Sequence, residues 1–239
     1  MPLVFAAIAP HGGIAIAEAC TPDERDVAIK TRAGMEELGR RFAAARPDVA
    51  IVATPHNVHI ANALGVVVAS RVAGKLNGVM PAIGLDLVSE TQLAWRVLEA
   101  FATAGLPSAG VSFGSNDPDT AVAPMDWGVL IPLWRIALIA SADHGHAHLG
   151  SGPYGFHPAA EEYDTLVTEL VRSEQLDRLV DIPRAMVEDA KADSWWQLLM
   201  LHGATMGAGR AQGAEWKGTL ISYEAPTYFG MLTASYVPS

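Results

Sequence analysis

Two rhythms of hydrophobic and polar positions alternate along this chain: short apolar runs of strand length, and longer stretches with one apolar face. Residues 3–9, Leu-Val-Phe-Ala-Ala-Ile-Ala, are apolar throughout and stop at Pro10-His11-Gly12-Gly13. A run of that length closed by a turn predicts a strand buried on both faces. Thr21-Pro22-Asp23-Glu24 offers a cap residue, a proline at the first helical position and acidic residues in the first turn. Val27, Met35, Leu38 and Phe42 then mark an apolar face, so a helix is predicted from there to about Ala45. Residues 49–53 form the next apolar run and lead into Thr54-Pro55-His56-Asn57-Val58-His59. Strand, helix and strand in this order make a βαβ unit, with Pro-His after each strand.

The same reading predicts strands at 65–70 and 110–114, a helix at 90–104 and a loop at 115–119. Residues 134–140 are apolar except for Arg135 and predict the central strand. A Gly/Pro-rich stretch at 150–158 reads as a loop long enough to form part of a lid. Helices follow at 159–172, 183–190 and 194–206. Two β-like runs, 218–223 and 228–236, close the chain around Glu224-Ala225-Pro226-Thr227. No repeat, low-complexity tract or linker interrupts this order. The expectation is a single catalytic domain over residues 1–239, an α/β fold with a mixed, mostly parallel central sheet and helices on both faces.

Composition narrows the function. Half of the 239 residues are hydrophobic and 18% are charged, enough for a sizeable core and too apolar for disorder. The net charge of -10, without any Lys/Arg cluster, excludes a nucleic-acid partner. Cys20 is the lone cysteine, so no intrachain disulfide and no cysteine-based zinc site can form, and the expected compartment is cytoplasmic. The apolar N-terminus lacks the basic residues of a signal peptide, and no segment reaches the ~20 uncharged apolar residues of a membrane span. Apolar content and the helix around Trp195 and Trp196 point to a homo-oligomer.

Chemistry gathers where apolar runs end. The predicted central strand leads into Ser141-Ala142-Asp143-His144-Gly145-His146-Ala147-His148, where an extended segment would point all three histidines the same way. His11, His56 and Glu224 also stand at element ends, far apart in sequence, so only the fold could bring them together. Two histidines and one carboxylate can hold Fe(II) on one face of an octahedron and leave the other face open. Zinc could use the same ligands with one water.

With Pro10-His11-Gly12-Gly13, Thr54-Pro55-His56, Ser141 to His146 and Tyr223-Glu224-Ala225-Pro226 in this order, the chain resembles the class III extradiol ring-cleavage dioxygenases, the superfamily of the protocatechuate 4,5-dioxygenase β subunit. The resemblance implies a non-haem Fe(II) site with His11, His56 and Glu224 as ligands and His146 as the catalytic histidine. The family pattern reads approximately Ser-Gly-Asp-Leu-Ser-His, so the match rests on Ser141, Asp143 and His146, and His144 is a rival for the acid/base role. Asp126-Trp127-Gly128 replaces the family's Asp-His-Gly, which puts Trp127 where a histidine would orient substrate. His59, Trp127, Asp143 and Tyr223 are the expected substrate-binding positions, with His148, Tyr154 and His157 as further candidates for the lining. The implied reaction opens the ring of a small catecholic compound with O2, and some family members work with a small partner subunit. Two alternatives stay open: a zinc-dependent hydrolase on the same ligands, and a non-catalytic Memo-like metal-binding protein.

Overall fold

The computed structural model describes residues 2–76, 82–114, 121–135 and 138–239. In chain order its elements are β1 (Ala6–Ala9), α1 (Ile29–Ala45), β2 (Ile51–Ala53), β3 (Leu64–Val67), β4 (Arg71–Lys75), β5 (Gly84–Val88), α2 (Thr91–Thr103), β6 (Ser108–Val111), β7 (Val122–Pro124), α3 (Trp127–Arg135), β8 (Leu138–Ser141), α4 (Ala159–Arg172), α5 (Arg184–Ala190), α6 (Trp195–Gln212), β9 (Trp216–Glu224) and β10 (Met231–Pro238). The central sheet runs β2-β8-β1-β10-β9. Its first three strands are parallel, and β10 and β9 complete it antiparallel. Two small sheets lie beside it, the parallel pair β3-β6 and the three strands β5-β4-β7. The result is a mixed α/β fold with helices on both faces of the central sheet.

Strand alternation sorts the two faces. Ala6 and Ile8 of β1, with Leu232, Ala234 and Tyr236 of β10, pack under α4, α5 and α6 through Tyr163, Val167, Leu170, Val187, Leu198 and Leu201. Phe5, Ala7 and Ala9 point the other way, onto Met35 and Leu38 of α1 and Leu130 and Ile131 of α3. Leu38, Leu130 and Leu198 are fully buried, each such side chain contributing about 1.5–3 kcal/mol. The alanines of β1 keep this strand thin enough for both helix layers to close over it. Gly34 does the same for α1, because a Cβ there would overlap the hydroxyls of Ser222 and Thr233 on the paired strands β9 and β10.

Several expectations are corrected. Thr21 and Glu24 do form a reciprocal cap, but on a single 3-10 turn, Pro22–Glu24. Ala28 then takes a left-handed conformation and α1 starts only at Ile29. The Arg32 guanidinium donates to the carbonyls of Ile14, Arg25 and Val27, so the latter two serve this side chain. The predicted strand at 134–140 is divided between the end of α3 and β8. A run that is apolar on every side carries no period to separate helix from strand. Strands β4, β5 and β7 were not predicted, and the loop expected at 115–119 lies outside the described residues.

Candidate metal centre

Because β1, β2 and β8 are parallel neighbours, their carboxyl ends share one edge of the sheet. His11 follows β1, His56 follows β2, and Asp143 and His146 follow β8. The Ala142 amide extends the ladder to Ala9 O at 2.9 Å, and the His11 amide donates to Asp143 Oδ1 at 3.0 Å. Ser141 Oγ donates to Gly128 O at 2.6 Å, which leaves it to accept from His11 Nδ1 at 3.2 Å. That bond places the Nδ1 proton and turns the Nε2 lone pair outward. His56 Nε2 stands 3.0 Å from His11 Nε2. Two nitrogens each roughly 2.1 Å from one ion, at right angles, would be about 3 Å apart.

The carboxylate that completes the group is Asp193. Its Oδ2 lies 3.5 Å from His11 Nε2 and 3.8 Å from His56 Nε2, and the three ligand atoms fall within 4.8 Å of one another. Asp193 Oδ1 is buried without a hydrogen-bond partner among the described residues. A carboxylate with Oδ2 near the Nε2 atoms of two histidines and Oδ1 buried without a partner among the described residues fits a divalent cation of the two-histidine, one-carboxylate class. His11 is 3% exposed at its side chain, whereas His56 and Asp193 are 28% and 25% exposed, so the centre is closed behind His11 and open on the other side.

Glu224, expected as the third ligand, is not in this group. Its Oε1 accepts the Thr31 amide at 2.7 Å, satisfying one of the free amides in the first turn of α1. Asp193 had no motif to announce it. It stands just before the predicted helix start at Ser194, where an aspartate reads as an ordinary cap residue.

The three histidines after β8 diverge instead of sharing a direction. His144 is fully buried against Tyr163, ring centroids 6.3 Å apart, and neither ring nitrogen has a hydrogen-bond partner among the described residues. Burial holds its pKa down, so it is a neutral core group. His148 Nε2 donates to Asp164 Oδ2 at 2.8 Å. His146 faces the centre. Its amide donates to Ala190 O at 2.8 Å and its Nδ1 to Lys191 O at 2.9 Å, which leaves the Nε2 lone pair 4.0 Å from Asp193 Oδ2. Phe229 stacks on the His146 ring at 5.6 Å, and Tyr154 meets it edge-on at 5.8 Å.

The other expected positions separate by location. Trp127 is half exposed, with its ring 4.9 Å from that of His56. Asn57 and Asp126 exchange two hydrogen bonds, Asn57 N to Oδ2 at 2.8 Å and Asp126 N to Oδ1 at 3.1 Å, which ties the His56 loop to the start of α3. Asp143 is buried and engaged with His11, so it supports a ligand and does not line an open pocket. His59 is exposed and makes no hydrogen bond to the centre among the described residues. The Tyr223 hydroxyl is turned to Asp164 Oδ2 at 2.7 Å. Sequence reasoning missed Tyr228 and Phe229, which precede Gly230 on the turn into β10 and were read only as part of a strand.

Charge around the centre is dominated by aspartates. Burial alone would lower the pKa of His11, but Asp143, then Asp193 and Asp126, outweigh it and raise the value to about 9. For His56 burial prevails, helped by the neighbouring His11, and the pKa is lowered. Burial pushes that of Asp143 up. Without an ion, the proton of this cluster therefore resides on His11.

No known protein-family profile matches the chain. It is similar to Protein CA_C1420 of Clostridium acetobutylicum, 20% identical over 260 aligned residues that cover 90% of this chain and 53% of that protein. The chain thus spans about half the length of the relative it matches. None of the described helices is long and apolar enough to cross a membrane.

Proposed function

We propose that this protein is a non-haem Fe(II)-dependent extradiol dioxygenase, cytoplasmic and homo-oligomeric, that opens the aromatic ring of a catecholic compound with both atoms of O2. The observation that carries the reading is the convergence of His11, His56 and Asp193 at one sheet edge with His146 Nε2 facing their shared carboxylate oxygen. Bound Fe(II) would supply a centre at which two adjacent ring oxygens and dioxygen meet and exchange electron density.

The protein's own groups divide the remaining work. His11 and His56 would hold the ion through their Nε2 atoms, and Ser141 and Asp143 fix the His11 ring from behind. His146 keeps its Nδ1 proton on Lys191 O, so its Nε2 can take a proton from a ring hydroxyl and return it later in the reaction. His144 is fully buried against Tyr163, which favours His146 for the acid/base role. Tyr154, Tyr228 and Phe229 around His146, and Trp127 beyond His56, offer flat apolar walls to an aromatic ring.

The deciding experiment is oxygen uptake by anaerobically Fe(II)-loaded protein with a panel of catechols, together with absorbance of a ring-opened product. Oxygen consumption with that product is the expected result. Turnover that persists with zinc in place of iron and consumes no oxygen would replace this reading with a hydrolase on the same ligands.

A further inference from the structure

Asp164 lies on α4 one turn beyond Ala160, and its carboxylate is almost completely buried. Among the described residues no lysine or arginine pairs with it; three other donors converge on it. Gly145 N donates to Oδ1 at 2.7 Å, while His148 Nε2 and the Tyr223 hydroxyl donate to Oδ2 at 2.8 and 2.7 Å. Two of these donors belong to the loop that carries His146, one immediately before it and one two residues after. The amides of His144, His146 and His148 go to the main-chain carbonyls of Gly230, Ala190 and Tyr228. Gly145 sends its amide to a side chain.

The packing at that point leaves no slack. A Cβ on Gly145 would come within 2.9 Å of Ala160 Cα, so α4 presses on the loop one turn from the carboxylate that holds it. Gly230 closes the other side, with its amide on Gly145 O at 3.0 Å. Hydrogen bonds to an ionised acceptor are the strong ones, and three on one buried carboxylate fix its surroundings tightly.

We propose that Asp164 is a positioning residue of this centre, which holds the loop on both sides of His146 so that the ring keeps Nδ1 on Lys191 O and presents Nε2 to the ion site. It touches neither ion nor substrate, and its part in turnover rests on the reading of His146 given above. An Asp164 that served packing alone could be replaced by its isostere at a cost in stability while the His146 ring stayed as it is.

The test compares zinc-loaded wild type, Asp164→Asn and Tyr223→Phe. The tautomer of His146 is read at neutral pH by nitrogen–proton correlation NMR, zinc affinity and melting temperature are measured alongside, and kcat and KM are taken on the Fe(II)-loaded forms. In Asp164→Asn the expected result is zinc affinity within about 3-fold of wild type and a His146 ring no longer in a single Nδ1-protonated form. In the same variant kcat should fall by roughly 10–100-fold, with KM little changed. Tyr223→Phe, which keeps the carboxylate and removes one donor, should move the same resonances less far in the same direction. A folded Asp164→Asn with wild-type His146 resonances and wild-type kcat would overturn the proposal. Should that variant fail to fold, unchanged His146 resonances in Tyr223→Phe would do so. Absence of ring cleavage by the wild type would instead remove the dioxygenase reading, and the NMR result would still decide the role of Asp164.

Discussion

Asp193 and Glu224 are both carboxylates at element ends, yet one faces two imidazole nitrogens and the other holds the first turn of a helix. Asp193→Ala should therefore lower Fe(II) or zinc affinity by about 100-fold or more, since it removes a ligand and not merely a supporting group. Glu224→Ala should leave affinity within about 3-fold and cost roughly 1 kcal/mol of stability, the usual worth of a helix-start cap. Metal titration and denaturant melts of the two variants separate these outcomes, and metal loss in Glu224→Ala alone would restore that residue as the ligand. His146→Ala should keep the ion while turnover falls by roughly 10²-fold. His11 and His56 were legible in the sequence because a histidine directly after a buried strand is presented at a sheet edge whatever the rest of the fold does. Asp193 was not, because the sequence signal of a ligand and of a cap residue before a helix is the same.

The elements that the sequence reading placed well are those with a strong period or firm boundaries. α4 matches its prediction at both ends, and β1, β2, β9 and β10 each overlap theirs. The reading failed where tertiary contacts override local pattern. Arg32 takes up carbonyls ahead of α1, and the uniformly apolar run after Trp127 hides the change from α3 to β8. The alternation of His144, His146 and His148 was visible, but not their divergence, which depends on Tyr163 and Asp164 of α4 and on Lys191 just after α5. The close contact between Gly145 and α4 is testable by substitution. Gly145→Ala should destabilise the fold by about 1–3 kcal/mol, the range for forcing a methyl into a packed site. The same substitution should displace the His146 loop, so activity should fall while the ligands His11, His56 and Asp193 stay in place. Wild-type stability and turnover in this variant would show that the loop can move away from Ala160.

For the molecule as a whole, an ion bound at this centre would compete with the proton on His11 for one nitrogen. The pKa of about 9, raised above the ordinary 6.5, means that the pairing of His11 with its aspartates stabilises the metal-free chain fully below pH 6.5. That stabilisation is lost as pH rises through about 9, so the melting temperature of the metal-free protein should decline across this window. Binding of zinc near neutral pH should release about one proton, measurable by calorimetry in buffers of different ionisation enthalpy. No proton release would place the His11 value well below neutrality. The centre is also unequally walled, with His11 sealed in and His56 and Asp193 in contact with solvent. A chelator can therefore grasp the ion from the Asp193 side before the buried histidine has let go. Stripping should then accelerate with chelator concentration instead of following a fixed first-order escape, and under the proposed reading a spent ion could be exchanged in place without the chain unfolding.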